Sequence, residues 1–552
     1  MFKEQVANRT NWLIGSAVLL VTVAISPASN MEPINLVKLW GLVSISFGVS
    51  SILITQPKVL FKRTNWHVII SARSVFFFML IALLLSSIAF SQQLFGVYGR
   101  NTGLLTYFSF GSLFIGVAVA TNKKLIKPIL LGTSVALAIN VIYCAIQANG
   151  GDPFKWSNPY APVIGTLGNP NFVAAFLGIG VAFALTYLIA PSVDIKYRIA
   201  SGLYVLLAIY DIVKSDAQQG LIVSLLSFGL ILYFYIKSKL LNPAIRLSFL
   251  ALGLISTLIG FLGTLQKGPL ASLLYKPSVT YRGDYWHAGI EMFKNHPWFG
   301  VGLDAYGDYY RAERTVEATL RRGPSTVSNA AHNVFIDIAA TAGIFALLAY
   351  LAVIFVGMRA AWRISKRSKN FDPFFVSIFV AWIGYLVQSV ISINNIALGI
   401  WGWVLPGVLV AIDRWQTEEK SKVKEVKTTD FTGMAMVAGL VVGGVIGYLP
   451  FNADANFRHA LESGDANKIY TAATKWPTDA ARLNYATQIF EQNKMPDKAV
   501  ELAREAVKLS PRNFDAWMYL YNAPSVSGNE KREILDRLKA LDPHNPDLKK
   551  LG

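Results

Sequence analysis

Thirteen apolar runs, each of spanning or near-spanning length, constrain this 552-residue chain more than any other feature. They fall at roughly 12–27, 34–54, 68–89, 104–121, 128–147, 171–190, 199–213, 220–236, 247–264, 332–356, 374–393, 396–412 and 434–450. A hydrocarbon layer of about 30 Å takes about 20 apolar residues in a helix, and only helices or closed barrels satisfy their backbone groups inside it. Runs this long and continuous predict an all-α polytopic membrane protein of about 12–13 transmembrane helices. The composition agrees. Charged residues are 15% of the chain, against about 25% in soluble domains, and mean hydropathy is +0.42. Disordered and ordinary soluble classes are excluded.

Charge placement orients the bundle. With a cytoplasmic N-terminus, the inside segments hold 23 Lys and Arg, and the short outside loops hold only Arg100, Lys155 and Lys214. That asymmetry follows the positive-inside rule. An odd number of spans then places the C-terminal tail outside. Residues 451–552 carry 15 basic and 14 acidic groups, so the net charge of +18 belongs almost wholly to residues 1–450. A nucleic-acid partner would need a basic soluble face, and the near-neutral tail does not provide one.

Two segments interrupt or follow the spans. The outside loop 265–331 carries eight basic and six acidic residues, and its aromatic content (Trp286, Phe293, Trp298, Phe299, Tyr306, Tyr309, Tyr310) predicts a folded piece on the membrane surface. In the tail, Pro477 and Pro511 stand 34 residues apart, with Pro543 another 32 on. Around them lie small residues, Ala486, Ala499, Ala503 and Ala506, and the period is that of a tetratricopeptide-like helical repeat. The predicted division is a transmembrane domain over 1–450 and a repeat-like domain over 451–552.

Candidate chemistry concentrates near the loop. Arg282 sits in "YRGDYWHAGIEMFKNHPWFGVG", where a helix from Arg282 to about Asn295 is expected, ended by His296-Pro297 and a glycine turn. With Arg311, Arg314, Arg321 and Arg322 it predicts a cationic rim, because guanidinium groups grip phosphate oxygens bidentately. His332 stands where loop becomes membrane helix in "SNAAHNVFIDIAATAG" and is a candidate proton acceptor. Asp337, about 140° further round the helix, is expected to support rather than touch it. Arg100 in "VYGRNTG", Asn169 and Asn171 in "GNPNFVAAFLG", and Gln218 and Gln219 in "SDAQQG" face outside and are candidate substrate contacts, with Asn171 also a candidate N-cap. His287, His296 and His332 lack metal-ligand spacing, and the single cysteine, Cys144, allows no thiolate site. No metal is predicted.

Arg282-x-x-x-Trp286, then "HPWFGVG", then "AHNVFIDIAATAG" opening a membrane helix, resembles the signature of the O-antigen ligase and O-antigen polymerase superfamily, which includes the bacterial protein O-oligosaccharyltransferases. "GNPNFVAAFLG" and "QQGL" resemble its flanking segments. The resemblance covers roughly residues 97–412 and is strongest over 206–355; the tail is found in only some members. It implies a plasma-membrane glycosyltransferase of the GT-C type that moves a glycan from undecaprenyl diphosphate to an acceptor hydroxyl outside the membrane. Inversion at the anomeric carbon and independence of any cofactor or metal are implied with it. On the matching positions Arg282 would contact the diphosphate and His332 would assist the acceptor, with Trp286 and a second arginine beside them. The "SDAQQG" segment departs from the Ser-Arg pair of many relatives, so no arginine role is carried to that position.

Three alternatives share the same residues. Polymerisation of lipid-linked repeat units and transfer to protein differ in the acceptor (glycolipid, glycan or polypeptide), and the tail is a candidate site for a protein partner. A transporter of lipid-linked sugars would show paired repeats and midplane polar sites, and Lys38, Arg73 and Asp337 are scattered rather than paired.

Overall fold

The computed structural model describes residues 3–156, 163–239, 242–368, 370–418 and 431–551. Five basic residues counted as inside, Lys369, Lys420, Lys422, Lys424 and Lys427, lie outside the described residues. Every apolar run lies on a helix. In chain order these are α1 (Glu4–Val23), α2 (Asn35–Ile54), α3 (Trp66–Leu85), α4 (Leu104–Ala120), α5 (Lys127–Ala148), α6 (Pro170–Ile189), α7 (Ile195–Lys214), α8 (Gln218–Lys239), α9 (Pro243–Thr264), α10 (Val334–Arg367), α11 (Pro373–Ile391), α12 (Ile396–Glu418) and α13 (Thr432–Ser463). Ten of them are long and apolar enough to cross a membrane. The other three are α4, which is apolar but shorter, α1 and α7. Polar and charged residues interrupt the last two: Asn8, Arg9 and Asn11 in α1, and Lys196, Arg198 and Asp211 in α7. No strand occurs among the described residues.

Helix α12 is the centre of the bundle, with Trp401 and Trp403 buried against Phe110, Phe114, Phe176 and Tyr350. Helix α9 is at the other extreme and leaves its apolar faces exposed. Hydrophobic burial does not hold helices together in lipid, so close backbone approach must, and it needs small residues. On α13, Gly439, Gly443 and Gly447 recur every fourth residue and face α2. A Cβ there would lie 2.5 Å from Phe47 O, 2.6 Å from Val43 O and 2.9 Å from Trp40 Cα.

The domain boundary expected at residue 450 falls inside α13, which runs through Pro450 and on to Ser463. Beyond Pro450, Asp454 accepts bonds from the backbone N–H of Met31 (2.8 Å) and Glu32 (3.1 Å) and from the Tyr98 hydroxyl (2.9 Å). The tail continues as α14 (Ala466–Thr474), α15 (Ala480–Gln492), α16 (Pro496–Leu509), α17 (Phe514–Asn522) and α18 (Gly528–Leu541), successive helices packing on one another. It folds back onto the 265–331 loop, so the two share one face of the bundle. Arg314 and Arg311 of the loop reach Asp542 of the tail at 2.7 and 3.3 Å, and Arg512 Nε donates to Asp308 O at 2.9 Å.

Candidate active site at the head of helix α10

Asn333 caps α10, its side-chain oxygen accepting from the backbone N–H of Phe335 (3.0 Å) and Ile336 (3.1 Å). The residue before the cap, His332, takes a left-handed backbone conformation with φ 53°, which turns the chain sharply from loop to helix. Asp337 fixes that turn from one side, accepting from the Ala331 N–H at 3.0 Å.

A second device lies nearly three turns deeper. Helix α10 breaks at Gly343, φ 77°, and the Ile344 N–H that would bond Ala340 O within a regular helix turns to Pro297 O instead. The glycine turn of "HPWFGVG" fills the break: Val301 N–H donates to Ala340 O (2.9 Å), Gly302 N–H to Thr341 O (3.1 Å), and Ile344 N–H returns a bond to Pro297 O (2.9 Å). The two motifs are therefore halves of one interlock.

Over the turn at His332 lies a loop helix, Pro277–Asn295. It begins five residues before the predicted start at Arg282, because Pro277 sits at its first turn, where a missing N–H costs nothing. The Tyr285 ring stacks on the His332 imidazole, centroids 4.9 Å apart and planes 26° apart. Trp286 Nε1 donates to His332 O at 3.4 Å, and Tyr306 Oη donates to Tyr285 O at 2.6 Å. Tyr285 stacks on the imidazole, while Trp286 and Asp337 hold the backbone of its turn.

Arg282 is partly buried and has no carboxylate partner among the described residues; desolvation pushes its pKa down. Its Nη1 reaches Ser278 Oγ at 3.5 Å and its Nε is buried without a partner. With its amide turned to suit both neighbours, Gln219 accepts from Arg282 Nη2 at 3.2 Å and donates to Asn171 O at 3.3 Å. The uncompensated charge is felt by His332. Burial first, then Arg282, Arg100 and Arg322, push the imidazole pKa down to about 3, so it stands neutral with a lone pair free.

The structure corrects several sequence expectations. No continuous rim of five arginines forms. Arg311 and Arg314 are drawn to Asp542, and Arg321 is paired with Asp284 at 2.6 Å. Arg322 bonds the Tyr285 hydroxyl and lies over the Tyr281 ring, 4.4 Å from its centroid. Arg100 is buried, 4% exposed, and bridges Asp304 and Asp337 at 3.1 Å each while bonding Asn329 O. Its guanidinium ties the 97–103 turn to the loop and to α10. The N-cap of α6 is Asn169, which accepts from Asn171 N–H at 2.9 Å. Asn171 therefore contributes its carbonyl rather than a cap, and Gln219, not Gln218, faces Arg282.

Three residues join the site that the sequence reading left out. Tyr285 was hidden among many loop aromatics. Asp304, φ 55°, accepts from Val97 N–H (2.7 Å) and Thr102 Oγ1 (3.2 Å), binding the 97–103 turn to the loop. Asp542 lies more than 200 residues from its arginines, beyond any local signal.

Residues 203–351, from α7 through the loop into α10, match the model of the family described as O-antigen ligase. The chain carries an O-antigen ligase family domain. No curated protein matches the chain. The ligase-family segment contains both halves of the interlock at Gly343, the stacked pair of Tyr285 and His332, and the Arg282–Gln219 contact. Arg100, Asn171 and the tail lie outside it.

Proposed function

We propose that this protein is a membrane glycosyltransferase that transfers a glycan from undecaprenyl diphosphate to an acceptor hydroxyl, at the outer face of the plasma membrane, with inversion and without a metal. One observation carries this reading: a guanidinium with no carboxylate partner among the described residues, on the loop helix whose Tyr285 ring stacks on His332 at the head of membrane helix α10. The outward orientation rests on the bias of basic residues.

The diphosphate of the donor is a good leaving group, and the protein need supply only positive charge, a proton acceptor and alignment. Arg282 would hold a phosphate oxygen while the anomeric C–O bond breaks and the diphosphate leaves with the electron pair. His332 would take the acceptor's proton as its oxygen attacks the anomeric carbon from the opposite side. Arg282 depresses the basicity of His332. A bound diphosphate offsets that charge and raises it, so the base strengthens when the donor is loaded.

The test is transfer from a defined undecaprenyl-diphosphate glycan by the reconstituted full-length protein. Arg282→Lys keeps the charge but loses the planar fork. Loss of one charged hydrogen bond of about 1.5–3 kcal/mol predicts a fall of roughly ten- to a hundredfold. Wild-type turnover at matched membrane expression would remove Arg282, and with it this reading of the site.

A further inference from the structure

Arg282 differs from most arginines around the site in what holds it; Arg322 also lacks a carboxylate but is covered by the Tyr281 ring and bonded to the Tyr285 hydroxyl. Arg100, Arg311, Arg314 and Arg321 each meet a carboxylate. Arg282 meets a neutral amide, that of Gln219, which is 4% exposed. An amide aims a guanidinium as well as a carboxylate does, but leaves its full charge for an anion.

The position of Gln219 is set by backbone contact. Helices α6 and α8 approach so closely that a Cβ on Gly220 would lie 2.6 Å from Ala174 O, and one on Gly178 would lie 2.9 Å from Gly220 O. No side chain separates the two helices there, so Gln219, one residue before Gly220, is pinned opposite the Asn171 carbonyl. Asn171 in turn lies in the first turn of α6, whose start is set by the Asn169 cap and Pro170. An anchor in the membrane bundle thus reaches a group on the loop helix.

We propose that Gln219 is a positioning residue that aims Arg282 at the donor diphosphate while leaving its charge uncompensated, making Gln219 a determinant of donor affinity. The proposal rests on the transferase reading above. It predicts that isosteric conversion to a carboxylate harms the site more than removal of the amide, because a carboxylate competes with the donor for the same guanidinium.

The experiment uses the full-length protein in nanodiscs, with KM for an undecaprenyl-diphosphate glycan and for the acceptor measured separately, and undecaprenyl diphosphate binding measured directly. Gln219→Glu should raise donor KM and Kd by roughly ten- to a hundredfold and leave acceptor KM unchanged. Gln219→Met should raise donor KM by a smaller factor, again sparing the acceptor. A merely structural glutamine would lower folded yield, or move both KM values together. Donor KM within twofold of wild type in the Glu variant, or a Met variant impaired as much as the Glu variant, overturns the proposal. If the Glu variant does not fold, the Met variant decides: raised donor KM with unchanged acceptor KM supports the proposal and unchanged donor KM overturns it. Arg282→Ala separates the two levels of inference. If it loses the donor while Gln219→Glu does not, only the role of Gln219 fails; if it binds donor as the wild type does, the transferase reading itself fails.

Discussion

Gly343 of α10 and Trp298 of the loop meet backbone to backbone: a Cβ on the glycine would overlap the Trp298 carbonyl. The contact exists because Gly343 has φ 77°, a conformation open to glycine and costly for other residues.

Gly343→Ala should therefore cost on the order of 1–3 kcal/mol for backbone strain, with the overlap on Trp298 added to it. The expected result is a lower melting temperature in detergent and loss of transfer, since His332 is carried by the same helix. An alanine variant that melts with the wild type would mean that the bend is not needed for the fold.

His332 gives a pH-dependent signature. In the unfolded chain its imidazole takes a proton near pH 6.5, and in the folded protein only near pH 3. Its contribution to folded stability is complete above pH 6.5 and is lost progressively as pH falls towards 3. Replacing it by Gln should flatten the fall in melting temperature between pH 7.5 and 5 relative to wild type. Identical pH profiles would show that the site is open to solvent protons.

In transfer assays, His332→Gln should lose roughly 10²–10⁴-fold activity if the imidazole is the base. Donor binding should survive, because Arg282 remains. Turnover within about threefold of wild type would take His332 out of the chemistry.

Asp542 carries the junction of tail and loop. It accepts from Arg314 Nη2 at 2.7 and 2.9 Å and from Arg311 Nη1 at 3.3 Å, with its own side chain fully buried. Removing one partner of a buried ion pair costs about 3–5 kcal/mol, because the other charge is stranded. Asp542→Ala should raise hydrogen exchange in residues 311–327 and through the last two tail helices together. Exchange confined to the tail would show that the loop holds its shape alone.

Loop and tail should also label from the same side of the membrane. In a Cys144→Ser background, Leu320→Cys and Asn529→Cys should both react with an impermeant maleimide in intact cells. Reaction of only one would contradict the observed docking, and reaction of neither would reverse the orientation.

What the sequence disclosed follows from the range of each interaction. Helix positions were legible because hydropathy is a local property, and each of the thirteen runs lies on a helix. Arg282 and His332 were legible as candidates because they flank the two most distinctive motifs. Caps were legible only with attention to proline: Pro170 and Pro277 each mark a first helical turn, which moves the cap of α6 to Asn169 and the loop-helix start ahead of Arg282. Which arginines remain unpaired was not legible, because their acids come from elsewhere. Asp304 and Asp337 reach Arg100 across more than 200 residues, and Asp542 reaches Arg314 across 228. The neutral partner of Arg282 was equally hidden: nothing local ties Gln219 to a loop sixty residues further on.

The bend at Gly343 has a consequence for how the chain is made. The carbonyls of Ala340 and Thr341 find their partners in Val301 and Gly302, which leave the ribosome about forty residues earlier. The turn is thus already synthesised when α10 is made. A helix bent at Gly343 without the docked turn would leave both carbonyls short of these partners in a layer that supplies no water, at several kcal/mol each. Bend and docking are therefore coupled in assembly, and neither forms at low cost without the other.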